Sequence, residues 1–596
     1  RTRPLSALRP TFNDPELGNE KAAFAAAPIK VEEAYATPPQ HQNPIELYST
    51  TCVWSGERLT IHEPSAAVNM LKHGVAVQLG LAPDTIEVVS PYLGGMFGSK
   101  VTVTPRTAVV ALAARDLGRT VKCVTTRAQG FTNAMNRAET RHRVRLSCGA
   151  DGKLASYGHV GTELTSRTDM WAVNGTGTSA LMYAWPAIDT RVLMAQADRN
   201  STGFMRAPAE TPYSFAVEVA MDELAEKAGI DPVEFRRTND VQTSTFEPKA
   251  FTSRSLIECM DRGAAAFGWS ARDPRPSSMR DGDWLIGYGM AMAYYPAGSM
   301  STAIRLRVGP DGAALVQLSA HDIGQGTYTL LAAHAAEELG LDVGKVRVEL
   351  GDTRLPPGGF VGGSVGTATY CNALAQACSN LRVRLGVAPG ASIMTRMTGG
   401  GAVEEHLEWT PPGVDPAEGI AGNRVGLPGF AGGSSGKKLR FAFGAEFVEV
   451  RVHDRTREIR VPRITGAFAA GRIMNARTAR SQLMGGMIWG ISSALHEAAE
   501  IDRRTAKYTN DNLAEYLIPV NADAPAVEVI MIPEEDSEVN ALGIKGVAEL
   551  GNVGTAAAIS NAVYHATGMR VRDLPIRIEN LLPPPPAAKA RDDRRS

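Results

Sequence analysis

Lys545-Gly546-Val547-Ala548-Glu549-Leu550-Gly551-Asn552-Val553-Gly554 is the stretch from which the rest of the chain is best read. A strand-like run approaches it, glycines open a turn, and a helical run leaves it from near Gly554. Three other segments share this grammar: Gly94-Gly95-Met96-Phe97-Gly98-Ser99-Lys100, Asp322-Ile323-Gly324-Gln325-Gly326-Thr327 and Gly362-Gly363-Ser364-Val365-Gly366-Thr367. Strand, glycine turn and helix recurring along the chain predict an α+β fold of mixed sheets and helices, not a bundle or an all-β sandwich.

Glycines let backbone N–H groups converge on an anion, and the N-terminus of the following helix adds partial positive charge. Several such turns could cradle one extended, phosphate-bearing ligand. None matches GxxxxGK[ST] or a GxGxxG followed by a suitably spaced acid, which disfavours a conventional nucleotide site. Glu549 is an isolated carboxylate among small and apolar residues, with Lys545 the one cation close in sequence. Desolvation there would raise its pKa towards the range useful to a general base; the alternative is an acid stabilised by the dipole of the helix from Gly554. Arg206, in Gly203-Phe204-Met205-Arg206-Ala207-Pro208, is a lone cation in an apolar turn. It reads either as a salt bridge to Glu210 or Glu218 or as a contact for an anion or oxo group.

Composition removes whole classes of function. With 62 Lys+Arg against 63 Asp+Glu among 596 residues, neither nucleic-acid coating nor polybasic membrane binding is supported. No apolar run reaches the roughly 18 residues of a spanning helix; the longest candidate, 485–495, is broken by glycines and serines. Six cysteines without a CxxC pair or a His/Cys cluster argue against a protein-held zinc or iron–sulfur site.

The chain divides into a first half at 1–268, a linker at 269–284, a second half at 285–582 and a Pro-rich, charged tail at 583–596. Helices are predicted at 107–117 and 215–228, the latter stopped by Gly229 and followed by a short helix from Asp231-Pro232. Residues 304–308 and 315–318 form a predicted hairpin around Gly309-Pro310-Asp311-Gly312, and 399–438 reads as a long irregular stretch. No repeat of fixed period is present. The start at Arg1 shows no signal-peptide pattern.

In this order and at these separations, the four turns resemble the molybdenum-cofactor-binding subunit of the xanthine dehydrogenase and aldehyde oxidase family. The resemblance extends through His41-Gln42-Asn43-Pro44-Ile45-Glu46, through Glu218-Val219-Ala220-Met221-Asp222-Glu223-Leu224-Ala225, and through Phe443-Gly444-Ala445-Glu446-Phe447. It continues in Gln482-Leu483-Met484-Gly485-Gly486 and in Asn561-Ala562-Val563 with Gly568-Met569-Arg570. The C-terminal part looks most like bacterial periplasmic-type aldehyde oxidases.

That resemblance implies two elongated halves with the cofactor between them. Gly95, Met96, Phe97, Gly98, Ile323, Gly324, Gln325, Val365, Gly366, Thr367, Gln482 and Gly546 would hold a molybdopterin, in plain form or as the cytosine dinucleotide. Arg206 would lie beside the metal and the substrate, and Glu549 would be the catalytic base. No residue of the chain would ligate molybdenum, which the pterin dithiolene carries. The implied reaction is hydroxylation of an aldehyde with water as oxygen source. Electrons would pass to a small subunit with two iron–sulfur clusters and to an FAD subunit, in a heterotrimer of the bacterial periplasm or cytoplasm. No nucleic-acid partner and no membrane insertion are implied.

Three departures stand out. About a hundred residues of the family pattern before the region near Ala34 are absent or separate. The stretch Glu63-Pro64-Ser65-Ala66 lacks a glutamine that in many members contacts the metal oxo group. Pro208 stands where purine-oxidising members carry a ring-stacking aromatic, which weakens the case for purines. Two other readings stay open: an N-heterocycle hydroxylase with a flat slot near Met205, Tyr294 and Tyr295, and a non-catalytic scaffold subunit. Retention of Glu549, Arg206 and Gln482 together argues against the scaffold.

Overall fold

Two glycines in one strand set how the C-terminal half packs. The strand Trp284–Pro296 pairs antiparallel with Phe441–His453 along its whole length, and the helix Thr555–Thr567 lies on its face. A Cβ at Gly287 would stand 1.9 Å from the carbonyl oxygen of Ala562, and one at Gly289 would stand 2.2 Å from that of Ala558. Bare backbone is what lets the helix come so close. The structure, a computed structural model, describes residues 2–9, 11–397 and 400–582; the predicted tail at 583–596 lies outside the described residues.

Beyond that pair the sheet continues through Ile459–Ala469, antiparallel, to Ala526–Ile532, which runs parallel to its neighbour. The N-terminal half repeats the arrangement. Ile29–Thr37, Thr140–Cys148 and Leu154–Ser166 are antiparallel in turn, and Ile188–Ala197 joins in parallel. Each large sheet is interrupted after its first long strand by a smaller four-stranded one. In the N-terminal half this holds Ser49–Ser55, Arg58–His62, Ile86–Val89 and Val121–Val124, with helices Val68–Leu79 and Pro105–Asp116. In the C-terminal half it holds Thr302–Val308, Ala314–Gln317, Val346–Glu349 and Val403–Trp409, with helices Thr327–Leu339 and Gly366–Leu385. Strand order and direction match for these eight strands of each half, so the halves share a topology without a sequence repeat; short added strands differ, Thr2–Pro4 and Glu16–Leu17 pairing with Ile188–Ala197 and Arg280–Asp281 with Trp284–Pro296. Topology needs only matching patterns of burial and turns, not matching residues.

The expected α+β architecture is therefore present, with some boundaries moved. The predicted hairpin and the short helix Pro232–Thr238, capped by Asp231, form as read. The helix expected at 215–228 begins earlier, at Glu210, and ends at Gly229 in the left-handed conformation. The helix expected at 107–117 spans Pro105–Asp116, its proline sitting in the first turn. The 399–438 stretch is not irregular throughout. It contains the strand Val403–Trp409, the helix Pro416–Arg424 and the short strand Phe430–Gly432. The first of these was hidden because its alternating, half-buried VEEHLEW pattern carries more charge than a central strand does. The helix Leu256–Phe267 precedes the 269–284 connection yet packs on the second-half sheet, where Gly263 faces the Phe447 ring. One hydrophobic core spans both halves.

Candidate functional site

The four glycine turns, distant in sequence, meet at one cavity of about 830 Å³ lined by residues of both halves. Met96, Phe97 and Gly98 come from the first turn, Ile323, Gly324 and Gln325 from the second, Gly366 and Thr367 from the third, Gly546 and Glu549 from the fourth. Arg206 and Gln482 complete the set. Gly95 and Val365 lie outside this lining, Val365 being buried.

The shared topology explains how a base and a cation arrive at one place. Arg206 sits on the loop between the parallel strand Ile188–Ala197 and the helix Glu210–Ala228; Glu549 sits on the corresponding loop between Ala526–Ile532 and Thr555–Thr567. The two loops are tied to each other. Arg206 Nε donates to the carbonyl of Ala548 at 2.6 Å and Nη2 to that of Gln482 at 2.7 Å. The N–H of Ala207 donates to Glu549 Oε1 at 3.4 Å, and Asn552 Nδ2 donates to the Arg206 carbonyl at 3.1 Å. The salt bridges expected of Arg206 do not form: its hydrogen bonds go to carbonyls, and Glu218 is taken by Arg236 at 2.8 Å. These bonds direct the Arg206 side chain to the opposite half.

Burial raises the Glu549 carboxyl above its ordinary range, against the pull of the Ser364 and Tyr295 hydroxyls, the Ala207 N–H and Arg206. Burial likewise lowers Arg206 to about 10, so it stays a cation at neutral pH. Lys545 is no counterion for Glu549: its ammonium is buried against Glu534 at 2.9 Å and Asp536 at 3.3 Å. Nor does the Glu549 side chain cap a helix. A short 3₁₀ turn, Leu550–Asn552, separates it from Thr555–Thr567. Nearby, Glu210 is buried and burial raises it to about 8.

Two contributors, Ser364 and Phe204, had no role read from the sequence, and a third, Tyr295, was read only as part of a flat slot. Ser364 lay inside a quoted turn, but its left-handed φ of 55° and its reach to Glu549 are tertiary facts. Tyr295 lines the cavity at the end of a buried strand. Phe204 lines it two positions before Arg206. In the Asp322 turn the backbone donors are spent locally. Asp322 Oδ1 accepts from the N–H groups of Gly324 at 2.9 Å and Gly326 at 3.2 Å, and Gln325 Oε1 accepts from that of Ile323 at 2.7 Å. That turn offers shape to a ligand more than free N–H groups, a correction to the expectation that such glycine turns present converging backbone donors.

Of the flat slot sought near Met205, Tyr294 and Tyr295, only Tyr295 reaches the cavity; the other two are buried behind it. Pro208 lines the wall. Glu63, in the stretch without a glutamine, is engaged elsewhere, by Arg106 at 2.7 Å and by Thr50 and Thr107. Among the described residues there is no group of three or more His, Cys, Asp or Glu that could hold a metal ion, and no helix long and apolar enough to cross a membrane.

Comparison with known proteins places this geometry. Residues 7–240 match a molybdopterin cofactor-binding domain and residues 262–525 match a second domain of the same description. The chain is 37% identical over 580 residues to the aldehyde oxidoreductase molybdenum-binding subunit PaoC of Escherichia coli, covering 96% of this chain and 78% of that one. It is 27% identical over 597 residues to the xanthine dehydrogenase molybdenum-binding subunit of the same species, covering 95% and 78%. Among solved structures, the aldehyde oxidoreductase of Desulfovibrio gigas superposes with a TM-score of 0.82 at 24% identity, covering 96% of this chain and 63% of that one. Quinoline 2-oxidoreductase of Pseudomonas putida superposes with 0.81 at 20% identity, covering 97% and 80%.

Proposed function

This chain belongs to the molybdenum-cofactor-binding subunits of the xanthine dehydrogenase and aldehyde oxidase family, and on that premise we propose that it oxidises an aldehyde to the carboxylic acid with water as the oxygen source. The observation that carries the reading is the meeting of Glu549 and Arg206, from corresponding loops of the two halves, on one cavity.

The cavity fits a molybdopterin. Gly324 and Gly363 line it with open space where a Cβ would project, so their backbone leaves room for a flat ligand. The N-terminal ends of three helices border it; the end at Gly366 has no side-chain cap and favours phosphate, whereas N–H groups at the Thr327 end are taken by Asp322 and those at the start of Ala476–Leu495 by Asn475. Met96, Phe97, Gly98, Ile323, Gly324, Gln325, Gly366, Thr367, Gln482 and Gly546 would hold it, in the cytosine dinucleotide form. When bound, molybdenum carried by the pterin supplies a two-electron acceptor.

The chain supplies the rest. Glu549 takes up the proton released as oxygen attacks the carbonyl carbon, a role suited to a carboxylate whose proton affinity is raised by burial. Arg206, charged and fixed by two carbonyls, orients the substrate oxygen. The apolar wall keeps water from competing. Aldehyde plus water gives acid, two electrons and two protons, and the electrons leave through an iron–sulfur subunit and an FAD subunit.

The test uses the purified complex. Molybdenum per chain is counted by mass spectrometry, the nucleotide is released by acid, and benzaldehyde, xanthine and isoquinoline are compared as substrates. About one molybdenum with CMP, turnover of benzaldehyde, and loss of about 10³-fold in kcat for Glu549→Gln at unchanged molybdenum content are the expected results. An active Glu549→Gln enzyme refutes the proposed base.

A further inference from the structure

Arg137 takes no part in the cavity wall, yet it grips the loop that carries Arg206. Its side chain is buried, and its guanidinium donates to three consecutive carbonyls of that loop. Nη2 donates to the carbonyl of Arg206 at 2.7 Å, and Nη1 to those of Ala207 at 3.0 Å and Pro208 at 3.4 Å. The backbone beside Arg137 is tied to the start of the same loop. The Asn136 N–H donates to the Ser201 carbonyl at 3.3 Å, and the Gly203 N–H donates to the Asn136 carbonyl at 2.9 Å. Burial lowers the guanidinium to about 10 against the pull of Glu497, Tyr516, Glu210 and Glu549, so it stays a cation at neutral pH.

Three carbonyls drawn to one cation leave the N–H groups of the loop to face elsewhere. That of Arg206 donates to the Phe97 carbonyl at 3.0 Å, and that of Ala207 to Glu549 Oε1 at 3.4 Å. Ala207 reaches this arrangement with a left-handed φ of 54°, which a residue bearing a Cβ rarely adopts. Such a conformation persists only where its surroundings hold it. The Arg206 carbonyl also accepts from Asn552 Nδ2 at 3.1 Å, three positions beyond Glu549, so one oxygen joins Arg137 to the loop of the base. A planar fork with several donors can span neighbouring carbonyls in this way, whereas an ammonium is a point donor.

We propose that Arg137 is a positioning residue of this site: by holding the carbonyls of Arg206, Ala207 and Pro208 it fixes the left-handed turn that presents the Ala207 N–H to Glu549 and sets the root of the Arg206 side chain. The inference rests on the base role proposed above for Glu549 and adds the group that keeps base and cation in register. Arg137 exchanges no proton and acts only through the backbone of the loop.

The experiment compares wild type, Arg137→Lys and the double variant Arg137→Lys/Ala207→Gly in the molybdenum-loaded complex. Lysine keeps the positive charge and gives up the fork, so the hold on the loop is what changes. Arg137→Lys is expected to lose about tenfold in kcat for benzaldehyde with KM within about twofold, and to exchange the amide hydrogens of residues 203–209 about tenfold faster. Glycine adopts the left-handed turn without strain, so Ala207→Gly in the lysine background should bring kcat back to within about threefold of wild type. Arg137→Gln, whose amide reaches a single carbonyl, replaces the lysine variant if that chain does not fold, with the same expectations. Wild-type kinetics and exchange in Arg137→Lys, a loss that Ala207→Gly leaves unrepaired, or a lower melting temperature with kcat intact each overturn the proposal. If wild type oxidises no aldehyde, the aldehyde reading fails, and amide exchange still decides the hold on the loop: equal rates in wild type and Arg137→Lys overturn it.

Discussion

The hydroxyl of Ser364 donates to Oε2 of Glu549 at 2.7 Å, and the backbone N–H of Glu549 donates to Oγ of Ser364 at 3.2 Å. This two-point clamp joins residues 185 positions apart. It fixes the carboxylate against the cavity and favours its ionised form, partly offsetting the burial that favours the neutral one.

Removing the clamp should move the pH profile. Ser364→Ala deletes a donor to the charged form, so the Glu549 pKa rises further, and a base must be deprotonated to act. The acid limb of kcat/KM is expected to shift to higher pH by about one unit, giving about tenfold less activity on that limb and near parity on the alkaline plateau. A pH–rate profile superposable on wild type would contradict the assignment of Ser364.

Stability should fall with rising pH because of Glu446. It is fully buried, bonded by the Thr555 hydroxyl with Oε1 unpartnered, and burial raises its carboxyl from 4.5 to about 8. Between those values the native state holds a proton that the unfolded chain releases. Its contribution is fully present below about 4.5 and is lost as pH rises through about 8. Glu446→Gln should flatten the decline of Tm across that window, as measured by calorimetry at several pH values.

Lys545 should prove a structural cation. Lys545→Met strands Glu534 and Asp536 as buried carboxylates without their partner, and a loss of about 3–5 kcal/mol in unfolding free energy is expected. Urea denaturation measures it. A neutral substitution would mean that the three-residue cluster is replaceable.

Close packing behind the site should tolerate no added methyl. Gly289→Ala places a Cβ 2.2 Å from the Ala558 carbonyl oxygen, pushing out the helix that follows the Glu549 loop. Stability should drop by about 1–3 kcal/mol, and kcat should fall as the carboxylate moves. Gly401→Ala, with open space around it, should leave both unchanged, and thermal melts with paired kinetics make the comparison.

Much of the site was legible because its signals are local. A glycine turn between a strand and a helix is set by neighbours in sequence, and so is the lone carboxylate at Glu549 or the cation at Arg206. Those features, in their order, carried the α+β architecture and the family. The strand Val403–Trp409 escaped notice because an edge strand with charges on one face lacks the apolar run that marks a central strand.

What only the tertiary structure decided is which of those local pieces meet. Lys545 stands four positions from Glu549 yet turns to Glu534 and Asp536, while Ser364 and Ala207, remote in the chain, hold the carboxylate. The shared topology, the opposition of Arg206 and Glu549 and the hold of Arg137 on the Arg206 loop likewise follow from how two sheets and their helices pack. Turns and caps depend on backbone preferences within a few residues, which the sequence states directly. Contacts across the cavity depend on strand pairing and on clearances such as those at Gly98 and Gly289, where a single methyl would collide with distant backbone, and those are properties of the assembled core.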